Sequence, residues 1–116
     1  MYKIKAAGIY IIECGDYYYF GKSVNIFSRW SSHYTSLKQN KHHSPLLQEK
    51  FNELGLKGLV FRVLEYISLT DYKKVSGLKG KELKNSFNRY LLQKEKEWMS
   101  RYSTNFSLNA DKKYFT

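Results

Sequence analysis

Cysteine and proline are nearly absent from this sequence, with one of each in 116 residues. A single cysteine, Cys14, excludes an intramolecular disulfide and any multi-cysteine zinc site, and it fits a reducing compartment. Long apolar runs are missing too. The only N-terminal one, Ala6 to Ile12, is too short to cross a bilayer, is cut off by Glu13 and Asp16, and lacks a small-residue cleavage site. No amphipathic helix with a Lys/Arg polar face stands out for membrane attachment. The expectation is an intracellular protein that is neither secreted nor membrane-bound. Acidic residues are few as well: 10 Asp plus Glu against 20 Lys plus Arg leave a net charge of +10. Such an excess repels itself in a compact fold, so a polyanionic partner is the first to consider.

What is plentiful is apolar and aromatic. Hydrophobic residues make up 42% and aromatic ones 17%, including 11 tyrosines, which suffices for a small core and excludes disorder as the dominant state. The length fits one domain, residues 1–116, and no repeat or low-complexity tract interrupts it.

A β-rich run around Ile9 to Ile12 stops at Cys14-Gly15-Asp16 and is followed at once by a second, Tyr17 to Lys22, which reads as a hairpin. Ser23 or Asn25 can cap the next helix, whose stripe is Ile26, Trp30, Tyr34 and Leu37 and whose end falls near Lys38 to Asn40. Ser44-Pro45 opens a second helix with Leu47, Phe51 and Leu54 as its buried face and Gly55 as its stop. Leu59 to Ile67 reads as a third strand. The stretch from Ser68 to Lys81 is expected to be a mobile basic loop with some helix over Asp71 to Val75. A long helix follows from about Glu82 to Arg101, with the stripe Leu83, Phe87, Leu91, Trp98 and Tyr102, and Ser103 to Thr116 is mostly irregular. The sum is an α+β domain: a small three-stranded, antiparallel sheet flanked by three to four helices.

Glu95 is the most informative residue, because it stands where the stripe of the last helix demands an apolar side chain. A buried carboxylate needs a cation, a donor or a metal beside it; a salt bridge at the stripe's edge answers that need as well as a functional site does. Glu97 points away as a solvated charge. Arg29 and His33, four apart on the first helix, share a face at the border of core and solvent, where a guanidinium can clamp a phosphate and an imidazole can donate to it; a plain solvated flank has the same pattern. Tyr10 and Tyr19 lie in the two hairpin arms, flanked by Gly8 and Gly21, and glycine beside a strand marks a close approach of backbone or ligand. His42 and His43 read as loop or helix-start residues, and with one cysteine in the chain the three histidines make no zinc site.

Taken together these residues resemble the GIY-YIG nuclease family. Gly8-Ile9-Tyr10 stands as its first motif and Tyr19-Phe20-Gly21 as its second, with Phe in the middle position. Asn25, Arg29-Trp30, His33, Glu95 three residues before Trp98, and Leu108-Asn109 follow in order. From Gly8 to Ile67, including His43-Ser44 and the run after it, the chain is similar to the nuclease domains of phage intron-encoded homing endonucleases, and the resemblance covers about nine-tenths of the chain.

The resemblance implies a small three-stranded sheet with flanking helices and a DNA endonuclease that hydrolyses phosphodiester bonds with one divalent cation, Mg²⁺ or Mn²⁺, per site. Carried over by position, Glu95 is the metal ligand and Arg29 contacts the scissile phosphate. Tyr10 is the base or relay for the attacking water, Tyr19 and His33 assist, and Asn109 supports the site through hydrogen bonds. DNA contacts fall to Lys22, Arg29, His43, Lys73, Lys74, Lys79 and Lys81. Ser28 stands where some relatives carry a lysine, and the segment from Ser68 to Asn88 is longer than theirs. Homing relatives carry a separate DNA-recognition region that this chain lacks, so specificity is expected from its own loops, self-association or a partner protein. The implied location is the cytoplasm or the host-cell nucleoid. A non-catalytic nucleic-acid-binding module with the same fold is the alternative, although a pure binder has no need of a carboxylate beside phosphate. An RNA-directed protein rests on charge and aromatics alone.

Overall fold

The computed structural model describes residues 6–109. The apolar alternation of the hairpin places strand β1 (Gly8–Cys14) at the centre of the sheet, buried along nearly its whole length, with β2 (Tyr17–Ser23) on one side and β3 (Leu59–Tyr66) on the other. Both pairings are antiparallel, and the register sets Tyr10 opposite Gly21 and Ile12 opposite Tyr19. A bulge between Ile9 and Tyr10 shifts the pairing with β3.

Alternation sends the two sides of β1 to different helices. Tyr10, Ile12 and Cys14 pack with Ile26 and Leu37 of α1 (Ile26–Lys38) and Leu47 of α2 (Pro45–Leu54). Ile9 and Ile11 face α4 (Gly80–Met99), meeting Phe87, Leu91 and Met99 in two adjoining clusters. Each buried Ile, Leu, Phe or Met among them contributes roughly 1.5–3 kcal/mol through removal from water.

Helix ends follow the local chemistry. The Asn25 side chain accepts from the Ser28 N–H, and the Ser44 hydroxyl accepts from the Leu47 N–H with Pro45 in the first turn. Two expectations are corrected. The helix expected only over Asp71 to Val75 within a loop spans the whole of α3 (Leu69–Ser76), capped by the Ser68 hydroxyl on the Asp71 N–H and ended by Gly77 in the left-handed region. Leu54 is not on the buried face of α2: it is 45% exposed and lies over Gly15 in the hairpin turn, while Leu47 and the half-buried Phe51 pack into the core.

Two glycines owe their place to close approach. A Cβ on Gly8 would fall 2.0 Å from the Glu65 carbonyl oxygen, and one on Gly21 would fall 2.1 Å from the Tyr10 ring. The Tyr10 ring therefore lies on the bare backbone of β2. Gly21→Ala is expected to cost roughly 1–3 kcal/mol by overpacking, read as a lower denaturant midpoint, and to displace the Tyr10 hydroxyl.

The outer edge of β2 is covered by the chain after α4. Leu108 N–H donates to the Tyr18 carbonyl at 2.8 Å, and Ser107 bridges to Tyr18 in parallel. Asn109 then behaves as a strand neighbour: its Oδ1 accepts from the Phe20 N–H at 2.8 Å and its Nδ2 donates to the Phe20 carbonyl at 3.1 Å. The expectation for residues 110–116 lies outside the described residues.

Candidate active site

Strand β1 presents Tyr10 toward α1, where it is buried against Phe61 and His33. His33 sits two turns into α1 and is only 2% exposed. Its Nε2 and the Tyr10 hydroxyl share a hydrogen bond of 2.7 Å. Its Nδ1 shares one of 2.6 Å with His42 Nε2. The His42 Nδ1 in turn accepts from the Ser44 N–H at 2.9 Å, the amide at the start of α2. On the same side of the sheet, the Tyr19 hydroxyl and His43 Nε2 lie 3.2 Å apart.

Arg29, one turn before His33, is exposed, yet its charge reaches Tyr10, Tyr19, His33 and His42. Burial pushes the Tyr10 phenol up to about 12, opposed by the charge of Arg29 and a hydrogen bond from it. Burial raises Tyr19 as well, with Arg29 again opposing.

Glu95 comes from α4, on the stripe Phe87, Leu91, Glu95 and Met99 at four-residue spacing. Its carboxyl is pushed above the usual range by burial, against the charges of Lys22 and Lys96. With Tyr19, His43, Ser44, Lys96 and Asn109 it lines a cleft of about 320 Å³ at the edge of β2, between the start of α2 and the second half of α4. Glu97, by contrast, is exposed and lies 3.7 Å from Lys94, as its position on the helix predicts. Trp98 is anchored by its indole N–H, which donates to Glu65.

The fold thus brings Tyr19, His43, Glu95 and Asn109 to the cleft at the edge of β2, with His33 and Tyr10 buried beside Tyr19. The charges of Arg29 and Lys22 reach the phenols and the carboxyl, but Tyr10, His33, Arg29 and Lys22 do not themselves line the cleft. It does not bring Lys73, Lys74, Lys79 or Lys81 there; they lie exposed on α3 and at the start of α4 and do not line the cleft. Lys96 and His42 escaped the sequence reading. His42 is 8% exposed and held on both sides: its backbone N–H donates to Gln48 Oε1, and the Gln48 Nε2 donates in turn to the Leu37 carbonyl. The available signal was its place two residues before the Ser44 cap, with Gln48 one turn into the helix.

The buried imidazoles have a measurable consequence. Burial and neighbouring positive charge lower His33 to about 3 and His42 to about 4, against an ordinary value of 6.5. Below pH 6.5 the unfolded chain therefore binds protons that the folded one refuses. Stability is full above that pH and falls on acidification towards pH 4, by about 1.4 kcal/mol per histidine per pH unit at most. Thermal melts from neutral to mildly acidic pH are expected to fall less steeply in His42→Gln than in the unaltered chain.

No protein-family model matches the sequence, and no curated protein matches it. Two solved structures do match. A mutant of the catalytic domain of the intron endonuclease I-TevI is 23% identical, with a TM-score of 0.68 over 96% of this chain and 99% of that one. The catalytic domain of homing endonuclease I-TevI is 21% identical, with a TM-score of 0.62 over 89% and 98%. The chain has the α+β fold of a GIY-YIG nuclease catalytic domain. Among the described residues no helix is long and apolar enough to cross a membrane.

Proposed function

We propose that this protein is a metal-dependent DNA endonuclease of the homing type, hydrolysing phosphodiester bonds at the cleft beside β2. The observation that carries the reading is the cleft itself, where Glu95 from α4 meets Tyr19 of β2, His43 and Asn109, with Tyr10 held behind by its bond to His33. The solved domains of the same fold are catalytic domains of a homing endonuclease, which supports it.

The donor set agrees with a hard divalent cation. Among the described residues no group of three or more His, Cys, Asp and Glu is placed to cage a metal. A single carboxylate, Glu95, suits Mg²⁺ or Mn²⁺, which keep water and phosphate oxygens for their other positions. Bound there, the cation would supply positive charge against the phosphate and the leaving oxygen.

The chain's own groups do the rest. Arg29 offers a planar fork of donors to a phosphate oxygen as charge builds in the transition state. Tyr10 is a neutral phenol in the free protein, and Arg29 is the group that opposes its burial. To take a proton from water it must first lose its own, which further positive charge at the bound site promotes. His33 holds the phenol oxygen in place, and Asn109 pins the β2 edge that carries Tyr19. Lys22, His43 and the lysines of α3 and early α4 are proposed to contact the DNA backbone.

The test is incubation of supercoiled plasmid with the protein and Mg²⁺ or Mn²⁺. Nicking or linearisation that EDTA stops is expected. Binding without cleavage under every divalent metal would transfer the reading to a non-catalytic nucleic-acid-binding module. Because phosphate contacts dominate, affinity is expected to fall about a thousandfold between about 50 and 200 mM salt, measured by fluorescence anisotropy.

A further inference from the structure

The three linked hydrogen bonds behind Tyr10 have a direction, and a backbone amide sets it. A peptide N–H can only donate, so the Ser44 N–H at 2.9 Å makes His42 Nδ1 an acceptor. A neutral His42 then carries its proton on Nε2 and donates it to His33 Nδ1 across 2.6 Å. His33, with Nδ1 filled, carries its proton on Nε2 and donates to the Tyr10 oxygen across 2.7 Å. From this geometry we infer that His42 is a positioning residue which, through His33, holds the Tyr10 oxygen as a hydrogen-bond acceptor.

The chain of bonds closes off the alternatives. If His33 took the Tyr10 proton on Nε2, it would need either a positive charge or a proton on Nδ1, facing the Nε2–H of His42. His42 could give way only by moving its proton to Nδ1, against the Ser44 N–H. The charged groups around the pair disfavour an imidazolium as well. Arg29 faces both rings from α1, and His43 stacks on His42 with ring centroids 4.4 Å apart. Tyr19 approaches both rings from β2, and Glu95 acts on the phenols from α4 rather than on the imidazoles. His33 therefore does not accept the Tyr10 proton. It stabilises the phenolate by donating to it, alongside Arg29, and leaves the phenol's own proton free to depart elsewhere.

The catalytic consequence rests on Tyr10 being the reacting phenol, as proposed above; the placement of the protons does not. The first arm of the test is accordingly independent of activity. Long-range ¹H–¹⁵N spectra of the histidine-labelled protein are expected to show both rings neutral and protonated on Nε2 from roughly pH 5.5 to 8. A proton on Nδ1 of either ring, or an imidazolium in that range, would overturn the inference. This arm decides even if a variant fails to fold or the protein cuts no DNA, an outcome that would count against the nuclease reading alone.

The second arm compares His42→Gln, which retains an amide N–H donor, with His42→Leu, which has none. His42→Leu is expected to lower kcat about a hundredfold with KM and DNA affinity nearly unchanged, and to move the pH–rate profile to the alkaline side. His42→Gln should recover most of that loss. Equal kcat in the two variants, or a loss of DNA affinity that matches the loss of kcat, would contradict the positioning role.

Discussion

Glu95→Ala is expected to slow DNA cleavage about a thousandfold while leaving DNA affinity within about twofold of the unaltered protein. Glu95 occupies an apolar position of α4, and burial raises its carboxyl above the ordinary range. A carboxyl raised in the folded state is stabilising only below its unfolded pKa, and that benefit is lost as pH rises through the folded value. Once ionised, Glu95 thus weakens the fold. Glu95→Gln, which keeps the shape and removes the charge, is expected to melt at or above the temperature of the unaltered chain, measured by differential scanning calorimetry. A residue that costs stability and loses activity when neutralised is held for function rather than for packing. If both variants melted lower and still cut DNA, Glu95 would be a structural acid.

Arg29→Ala carries the second large effect. Arg29 is exposed and makes no ion pair among the described residues, so its removal should leave the melting temperature nearly unchanged. It is also what opposes the burial of both phenols. Cleavage is expected to fall by about two to three orders of magnitude, and the residual activity to shift to higher pH as Tyr10 loses its nearest positive charge. Arg29→Lys should restore part of the rate, since an ammonium supplies the charge but not the planar fork. Single-turnover kinetics across pH on all three proteins checks this.

How far the molecule was legible follows from where its information lies. The hairpin, the Ser44-Pro45 helix start and the stripe broken by Glu95 are local patterns, and they stand where periodicity put them. Gly21 reads as a close approach, and the ring it admits is Tyr10. The helix over residues 69–76 was legible only in part, over Asp71 to Val75, because none of its residues is buried and it leaves no apolar stripe; the Ser68 cap and Gly77 mark its full extent. Leu54 misled because helical spacing does not say how far a sheet extends beneath a helix. His42 was missed for the opposite reason: apart from its place before the Ser44 cap, its burial depends on Gln48, His33 and a backbone amide, which composition and period do not link to it.

The central claim is that one cation and one phosphate meet in the cleft that Glu95 and Tyr19 line. The most direct measurement is paramagnetic broadening of the ¹⁵N-labelled protein by Mn²⁺ in the presence of a non-cleavable DNA duplex. The account predicts that the amides of Tyr19, Lys22, Glu95 and Lys96 broaden first and that Glu95→Ala abolishes the effect. Broadening centred on Glu65 or Glu97, or a pattern unchanged by Glu95→Ala, would contradict it.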